Sequence, residues 1–169
     1  EAALRASLTT LKNTGQVEAL TICFINAYLN GAHEQKAKKV AAEIFTDIPI
    51  SISSDLVPEM QEYERTETTV VNSYVRPEVA RYVENLNRSL IATMGEDLHL
   101  SILRSDGGLA SARASGESPV NLLMSGPAGG VPGAMHFCKI AGFNDILTFD
   151  MGGTSTDVPL IQNPKARVR

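Results

Sequence analysis

The fold of this chain is decided by the stretch Ile146 to Ile161, which reads ILTFDMGGTSTDVPLI. Two short apolar runs flank the pair Gly152 and Gly153, and this arrangement predicts a β-hairpin with the glycines at its tip. The plain interpretation is a hairpin turn whose polar residues serve solubility, since Gly-Gly is a common turn pair. The polar residues beside the glycines favour a second interpretation, in which the hairpin binds a ligand.

The residues around this turn are suited to phosphate chemistry. Because glycine has no Cβ, the backbone N–H groups of Gly152 to Thr154 can close on a terminal phosphate as an anion-binding nest. Asp150, at the end of the first strand, can hold a hydrated Mg²⁺ that neutralises the same phosphate. Thr156 and Asp157 complete the motif, and solubility does not demand this combination. The motif is not a Walker loop, because no Gly-Lys-Ser/Thr follows it and no helix opens directly after it.

A second glycine-rich motif, Ser125 to Gly130 (SGPAGG), opens a run of small residues that ends at Ala141. We predict a helix over this run, in which Gly126, Gly129 and Gly130 allow a partner to approach the backbone closely. Small residues at a helix start beside a phosphate loop suit a hinge between two lobes that close around a nucleotide. Close packing in the core, without any hinge, is the alternative.

The rest of the chain alternates between strand and helix patterns. Strand, helix and strand in succession at the N-terminus predict a βαβ unit, and the alternation as a whole predicts an α/β layered domain. Pro77 is expected to break or kink the long helical segment in the middle of the chain. The patterns predict strands at 19–28, 48–53 and 98–103, and helices at 32–45, 62–93 and around 109–114.

Composition and charge restrict the classes of partner. Fifteen Lys and Arg residues stand against nineteen Asp and Glu, so the net charge of −4 gives no positive field for nucleic acid. The longest apolar runs fall far short of the ~20 residues that a membrane helix needs. Cys23 and Cys138 do not form a disulfide framework or a metal cluster, and we expect buried, reduced thiols in a cytoplasmic protein.

The other polar candidates have simpler explanations. The three histidines, at 33, 99 and 136, have no second ligand at metal spacing, so structural roles are expected. Lys36, Lys38 and Lys39 are predicted to form a solvated helix face. The segment from Tyr63 to Thr69 either approaches a cleft or is a charged helix start whose threonines cap backbone donors.

Taken together, the motifs resemble the hydantoinase A and 5-oxoprolinase family, which belongs to the actin-like and sugar-kinase-like ATPase superfamily. The similarity lies in Gly126 to Gly130, the small-residue helix and the Asp150 to Asp157 hairpin, and in further segments at 62–66, 68–75 and 105–109. One departure is Asp106, which stands where an Asn is also expected and leaves the contribution of that loop to substrate binding open.

The resemblance implies a fold of two ribonuclease-H-like lobes around a nucleotide cleft. Residues 1–124 would be part of the first lobe, 125–144 the hinge helix, and 145–169 the first hairpin of the second lobe. Chains of this family are much longer and begin with another glycine-rich loop of Asp-x-Gly-Gly-Thr type, which this sequence lacks. We therefore expect the sequence to be a fragment.

The resemblance also implies ATP-dependent chemistry with Mg²⁺. The substrate would be a small cyclic amide, such as a hydantoin or 5-oxoproline, or a ketone in the related carboxylases, with its oxygen or that of bicarbonate phosphorylated. Asp150 would face the metal, and Asp157 would share the catalytic role and steady the loop with Thr156. Gly152, Gly153 and Thr154 would face the phosphates. A second subunit of hydantoinase B type is the expected partner, and a nucleotide-gated regulatory module or a non-catalytic remnant are the alternatives.

Overall fold

The computed structural model describes residues 1–162 and the backbone of residues 165 and 166. Its N-terminal part is the predicted βαβ unit, preceded by one helix. The strands are parallel and pair from Leu20 with Ile50 to Ile22 with Ile52. The elements are α1 (Ala2–Asn13), β1 (Leu20–Ile22), α2 (Ala32–Ile44) and β2 (Ile50–Ile52).

The main core cluster lies between α1 and α2. It contains Leu8, Val40, Ala41 and Phe45, and partly buried side chains of both strands pack against it. The lysines of α2 point away from this core, as predicted, and Lys38 forms an ion pair with Asp55 at 3.0 Å. The apolar stripe of α2 therefore decides which way the helix faces.

The strand predicted at 19–28 is much shorter in the structure. After Ile22 the chain leaves the sheet and turns, Asn26 has a φ of 59°, and the Ile25 side chain is 81% exposed. The cause lies at Phe24, whose N–H donates to the Glu34 carboxylate and whose carbonyl accepts from Arg65. These side chains occupy the backbone groups of Phe24, which are then not available to a neighbouring strand.

A single long helix crosses the middle of the molecule. The short helix α3 (Ser53–Leu56) leads to α4 (Glu62–Met94), which continues through Pro77, so the predicted break there is wrong. Packing holds both halves of the helix: Asn72 donates to Ser51 Oγ of β2 before the proline, and Val83 is buried after it. Within residues 1–162, no helix combines the length and apolarity that crossing a membrane requires.

A hairpin and two short helices follow α4. β3 (Ser101–Leu103) and β4 (Leu109–Ser111) are antiparallel, and the turn between them contains Gly107 with a φ of 80°. The prediction of a helix from 109 is wrong for 109–111, because Ser111 accepts from the Ala114 N–H and starts α5 (Ala112–Glu117) only after β4. A 3-10 helix (Pro119–Leu122) comes next.

The C-terminal part contains the two glycine-rich motifs. The first lies at the start of the predicted helix, α6 (Ser125–Ala141). The second forms the predicted hairpin, in which Ile146 pairs with Ile161 and Leu147 with Leu160. The strands are β5 (Asp145–Leu147), β6 (Asp150–Met151), β7 (Thr156–Asp157), β8 (Leu160–Gln162) and β9 (Lys165–Ala166).

Candidate functional site

The tip of the C-terminal hairpin is a tight turn between β6 and β7. Asp150 pairs with Asp157, Met151 pairs with Thr156, and the Gly152 N–H donates to the Ser155 carbonyl at 3.0 Å. The turn therefore places Gly152 and Gly153 at the tip, as the sequence predicts.

Neither tip glycine is required by the conformation of the turn. Both lack a positive φ, which is the usual reason for glycine in a hairpin turn. A Cβ at Gly153 would meet no described atom within 4 Å, and one at Gly152 would lie 3.7 Å from the Ser155 carbonyl oxygen, an ordinary contact. What the two glycines provide is open access to the backbone, which a bound phosphate would use.

Two acidic side chains stand beside this turn. Because Asp150 and Asp157 are direct partners in an antiparallel pair, their side chains project from the same face of the ribbon. Asp150 is exposed and Asp157 is half-buried. Like charges directly opposite one another destabilise a strand pair. A cation bound between or above the two carboxylates would therefore reduce their repulsion and stabilise the hairpin.

The two glycine-rich motifs meet at Asp150. A Cβ built on Gly130 of α6 would lie 3.7 Å from Asp150 Oδ2, so the first turns of α6 run next to this carboxylate. The exposed threonines Thr154 and Thr156 lie on the same turn as the tip glycines. The structure thus brings together Gly130, Asp150, Asp157 and the tip of the hairpin.

The glycines of α6 differ in how closely they are packed. A Cβ at Gly129 would lie 2.1 Å from Leu103 Cδ2 of β3, whereas Gly126 and Gly133 have no described atom within 4 Å of that position. The expected close approach is therefore found at Gly129, the space at Gly130 is of ordinary size, and at Gly126 no described residue comes close, so the prediction for Gly126 stays a prediction.

These residues fit part of a magnesium–phosphate site. Among residues 1–162, no group of three or more His, Cys, Asp or Glu side chains could hold a metal ion. Mg²⁺ usually takes only one or two carboxylates from a protein and fills its octahedron with water and phosphate oxygens. Asp150 and Asp157 match that requirement, and the open backbone at Gly153 matches the phosphate, whereas the Gly152 N–H already donates to the Ser155 carbonyl.

A buried polar network around Glu34 and Arg65 is absent from the sequence predictions. The Glu34 carboxylate accepts from Ser53 Oγ at 2.7 Å, and Ser53 Oγ accepts from Arg65 Nε at 3.1 Å. Glu34 is fully buried and Arg65 is 1% exposed. Burial acts to raise the pKa of Glu34, but hydrogen bonds from Ser53, Ser54 and Phe24 outweigh it, so the pKa lies below its ordinary value.

One sequence signal for this network was available. Glu34 is in helical register with the buried residues Ala37 and Ala41 of α2, and an acidic residue on an apolar stripe needs a buried partner. Arg65 is part of the segment 63–69, for which the sequence leaves two interpretations, an approach to a cleft or a charged helix start, and the segment lies in the first turns of α4. The structure buries Arg65 against Phe24 and Ser53.

The remaining sequence candidates have ordinary places in the structure. The histidines at 33, 99 and 136 are exposed. Both cysteines are free thiols: Cys138 is buried, as expected, and Cys23 is only half-buried.

Comparison with known proteins identifies the family. A family model described as hydantoinase/oxoprolinase matches residues 65–169. The chain therefore belongs to the hydantoinase/oxoprolinase family, which confirms the resemblance seen in its motifs. Its mixed helix and strand fold also matches that of a solved relative.

Three proteins that are similar to this chain illustrate the different activities for which relatives are named. The caprolactamase subunit alpha of Pseudomonas jessenii is 34% identical over 160 residues, which are 95% of this chain and 23% of that protein. The 5-oxoprolinase of Saccharomyces cerevisiae is 34% identical over 160 residues, which are 94% of this chain and 12% of that protein. The nucleotide-free structure of acetone carboxylase, from work on ATP-dependent acetone carboxylation, matches with a TM-score of 0.83 and 26% identity over 98% of this chain and 23% of that chain. The chain spans less than a quarter of the length of each of these proteins.

Proposed function

We propose that this chain is part of an enzyme that uses ATP to open a small cyclic amide of the hydantoin or 5-oxoproline type. The observation that carries the proposal is the pair Gly152 and Gly153, which the turn does not require and which lies beside Asp150 and Gly130. Two relatives at 34% identity, the caprolactamase subunit and the 5-oxoprolinase, are named for the opening of ring amides, which supports this substrate class.

In this proposal the hairpin tip binds the terminal phosphate. The N–H groups of Gly153 and Thr154 donate to phosphate oxygens, and Thr156 steadies the turn. The Gly152 N–H, expected from the sequence to join them, instead closes the turn by donating to the Ser155 carbonyl. Asp150 holds Mg²⁺, and Asp157, on the same face of the ribbon, shares that charge. Charge-assisted hydrogen bonds from backbone N–H groups to an anion are among the stronger ones in proteins.

The lobe arrangement belongs to the same proposal. Residues 1–124 form part of a ribonuclease-H-like lobe of the actin-like type, 125–144 form the hinge with Gly126 to Gly130 at the floor of the cleft, and 145–169 begin the second lobe. Support comes from the packing of Gly129 on Leu103 and of Gly130 beside Asp150, since α6 thereby touches both parts.

The chemistry follows from the difficulty of amide hydrolysis. Bound ATP would transfer its terminal phosphoryl group to the carbonyl oxygen of the ring, with ADP as the leaving group, and so make the ring carbon more electrophilic toward water. Addition of water would then allow the ring C–N bond to break, and the phosphoryl group would leave as inorganic phosphate. The residues of this chain hold the phosphates in place, balance their charge and keep the terminal phosphate at the hairpin tip. Positioning and charge stabilisation are most of what a protein contributes to phosphoryl transfer.

A ketone carboxylase is the second candidate function. It is favoured by the structural match to acetone carboxylase, with a TM-score of 0.83. The two candidates are separated by testing the full-length protein for ADP release that depends on 5-oxoproline, hydantoin or caprolactam, or on acetone with bicarbonate. In either case a second subunit, of hydantoinase B type, is the proposed partner, and the relative named as a subunit supports it. ADP release that needs no small substrate and responds to a protein partner would instead indicate a regulatory module.

The site assignment is tested with Asp150→Asn in the full-length protein. This change keeps the shape of the side chain and removes its charge, so we expect ATP turnover to fall by about 10- to 100-fold or more, with little change in thermal stability. Asp145→Asn is the matched control, because Asp145 is an exposed aspartate at the other end of the same hairpin. Equal turnover in the wild type and Asp150→Asn would contradict the assignment.

A further inference from the structure

Arg76 of α4 lines two adjoining cavities on the side of the molecule formed by β2, α4 and α5. The larger cavity, about 500 Å³, has mainly apolar walls, which include Pro49, Pro77, Ala80 and Val83. The smaller cavity, about 320 Å³, is polar and includes Ser51, Asn72 and Ser118 in its walls. Glu117 also lines both cavities, so the two spaces share a boundary at Arg76 and Glu117.

The guanidinium of Arg76 is half-buried and makes few polar contacts with the described residues. Its Nη1 donates to the Ile50 carbonyl at 3.1 Å, and within residues 1–162 it forms no ion pair. Burial lowers the pKa of Arg76, and the charge of Glu117 offsets part of that effect. A half-buried cation with a single neutral acceptor is costly for a fold to keep, unless an anion joins it.

The acidic side chains around the two cavities are already paired. Glu117 lies 3.0 Å from Arg113, Glu84 lies 3.0 Å from Arg88, and Asp55 lies 3.0 Å from Lys38. Each of these carboxylates therefore has a direct basic partner other than Arg76. Among the described residues that line these cavities, Arg76 is the cation that makes no direct ion pair, although the charge of Glu117 acts on it from further away.

We propose that these cavities bind a small organic anion, with its carboxylate on Arg76 and its apolar body in the larger cavity. A guanidinium presents paired N–H donors that match a carboxylate, and the free nitrogens of Arg76 are available for this contact. The proline, alanine and valine walls of the larger cavity suit a short hydrocarbon chain or ring. This site does not depend on the proposed ATP chemistry, because none of its residues belongs to α6 or the C-terminal hairpin.

Calorimetric titration of the full-length protein with a series of carboxylates tests the site. The probes are hexanoate, butyrate and acetate, with hexanamide as the neutral counterpart of hexanoate. We expect hexanoate to bind, each methylene removed to weaken binding about fourfold, and hexanamide to bind at least about tenfold more weakly than hexanoate. No binding of hexanoate at millimolar concentration, or equal binding of hexanoate and hexanamide, would overturn the proposal.

Two variants locate the binding. Arg76→Gln keeps a donor for the Ile50 carbonyl and removes the charge, so we expect hexanoate affinity to fall about tenfold or more and hexanamide affinity to stay unchanged. Arg81→Gln is the matched control, because Arg81 is an exposed arginine of α4 outside both cavities, and it should bind hexanoate like the wild type. Wild-type hexanoate affinity in Arg76→Gln would overturn the assignment to Arg76.

A third variant covers the case in which Arg76→Gln does not fold. Ala112→Phe fills the larger cavity from its α5 side and leaves Arg76 in place. We expect it to bind hexanoate no better than acetate. A persistent preference for the longer chain would show that the hydrocarbon lies elsewhere and would overturn the proposal.

Discussion

Glu34 is a buried carboxylate whose charge is stabilised by hydrogen bonds. It is fully buried, yet three hydrogen-bond donors, Ser53 Oγ and the N–H groups of Phe24 and Ser54, point at its two oxygens. Because these bonds favour the charged form more than burial disfavours it, the pKa in the folded protein is below the ordinary 4.5. A carboxyl group with a depressed pKa stabilises the fold above its unfolded pKa, and this contribution is lost as the pH falls through the folded value.

We predict that Glu34→Gln changes the acid sensitivity of the protein. At about pH 7 the variant should be less stable by about 1–3 kcal/mol, because a neutral amide cannot accept three charge-assisted bonds and brings its own donors. As the pH falls from the ordinary pKa of 4.5 through the lower pKa of the folded protein, the difference should shrink, because Glu34 of the unfolded chain takes up its proton first. Urea unfolding at about pH 7 and about pH 3 measures both free energies.

The control for that experiment is Glu67→Gln, which alters an exposed glutamate on α4. Its stability should follow the wild type at both pH values. A gap between wild type and Glu34→Gln that stays constant on acidification would show that the pKa of Glu34 is not depressed.

At the scale of elements, the local patterns predicted most of the helices and the C-terminal hairpin. Apolar residues at helical spacing identified α2, and the glycine pair between apolar runs identified the pairing of Ile146 with Ile161. Both patterns depend on residues close together in the sequence, so they could be recognised without a structure. From the sequence, we could predict only that the two glycine-rich motifs are neighbours. The contact between Gly130 and Asp150 itself could not be predicted, because it depends on how α6 packs on β3.

The wrong predictions of strand and helix bounds arise where residues far apart in the sequence contact one another. Residues 23–28 read as strand, but Glu34 and Arg65 take up the backbone groups of Phe24. Pro77 predicts a break or a kink, but α4 continues without a break, because both of its halves are anchored and the cost of a missing hydrogen bond is smaller than the packing that would be lost. Arg76 gave no sequence signal, because its significance lies in two cavities that form between separate segments and in the pairing of the nearby carboxylates with other basic residues.

The contact between α6 and β3 gives a prediction about Gly129. A β-branched side chain there meets Leu103 Cδ2, where even a Cβ would lie only 2.1 Å away, so Gly129→Val should destabilise the protein by about 1–3 kcal/mol. Gly133→Val is the matched control, because it places the same side chain on the same helix in open space. Urea unfolding compares the two variants, and equal losses of stability would mean that helix propensity, rather than overpacking, is responsible.

For the whole molecule, the proposed function predicts weak nucleotide binding by these 169 residues alone. A triphosphate held between two lobes needs donors from both, and this chain offers the hairpin Asp150 to Asp157. Ordering the phosphates then costs more than one set of contacts returns. Calorimetric titration with Mg·ATP should detect binding by the full-length enzyme and little or none by the segment, and micromolar binding by the segment would contradict the two-lobed site.

The exposed apolar side chains on the C-terminal hairpin affect the solubility of the protein. Leu147, Phe149, Met151 and Leu160 are each more than half exposed, and they lie close together on one small ribbon. A patch of this kind, next to strands of only two or three residues, lowers the concentration at which separate molecules adhere. The net charge of −4 opposes such adhesion only through a repulsion that salt screens within about 10 Å. We therefore expect added salt to lower the solubility of the isolated 169 residues, because it screens the repulsion that opposes contact between these patches.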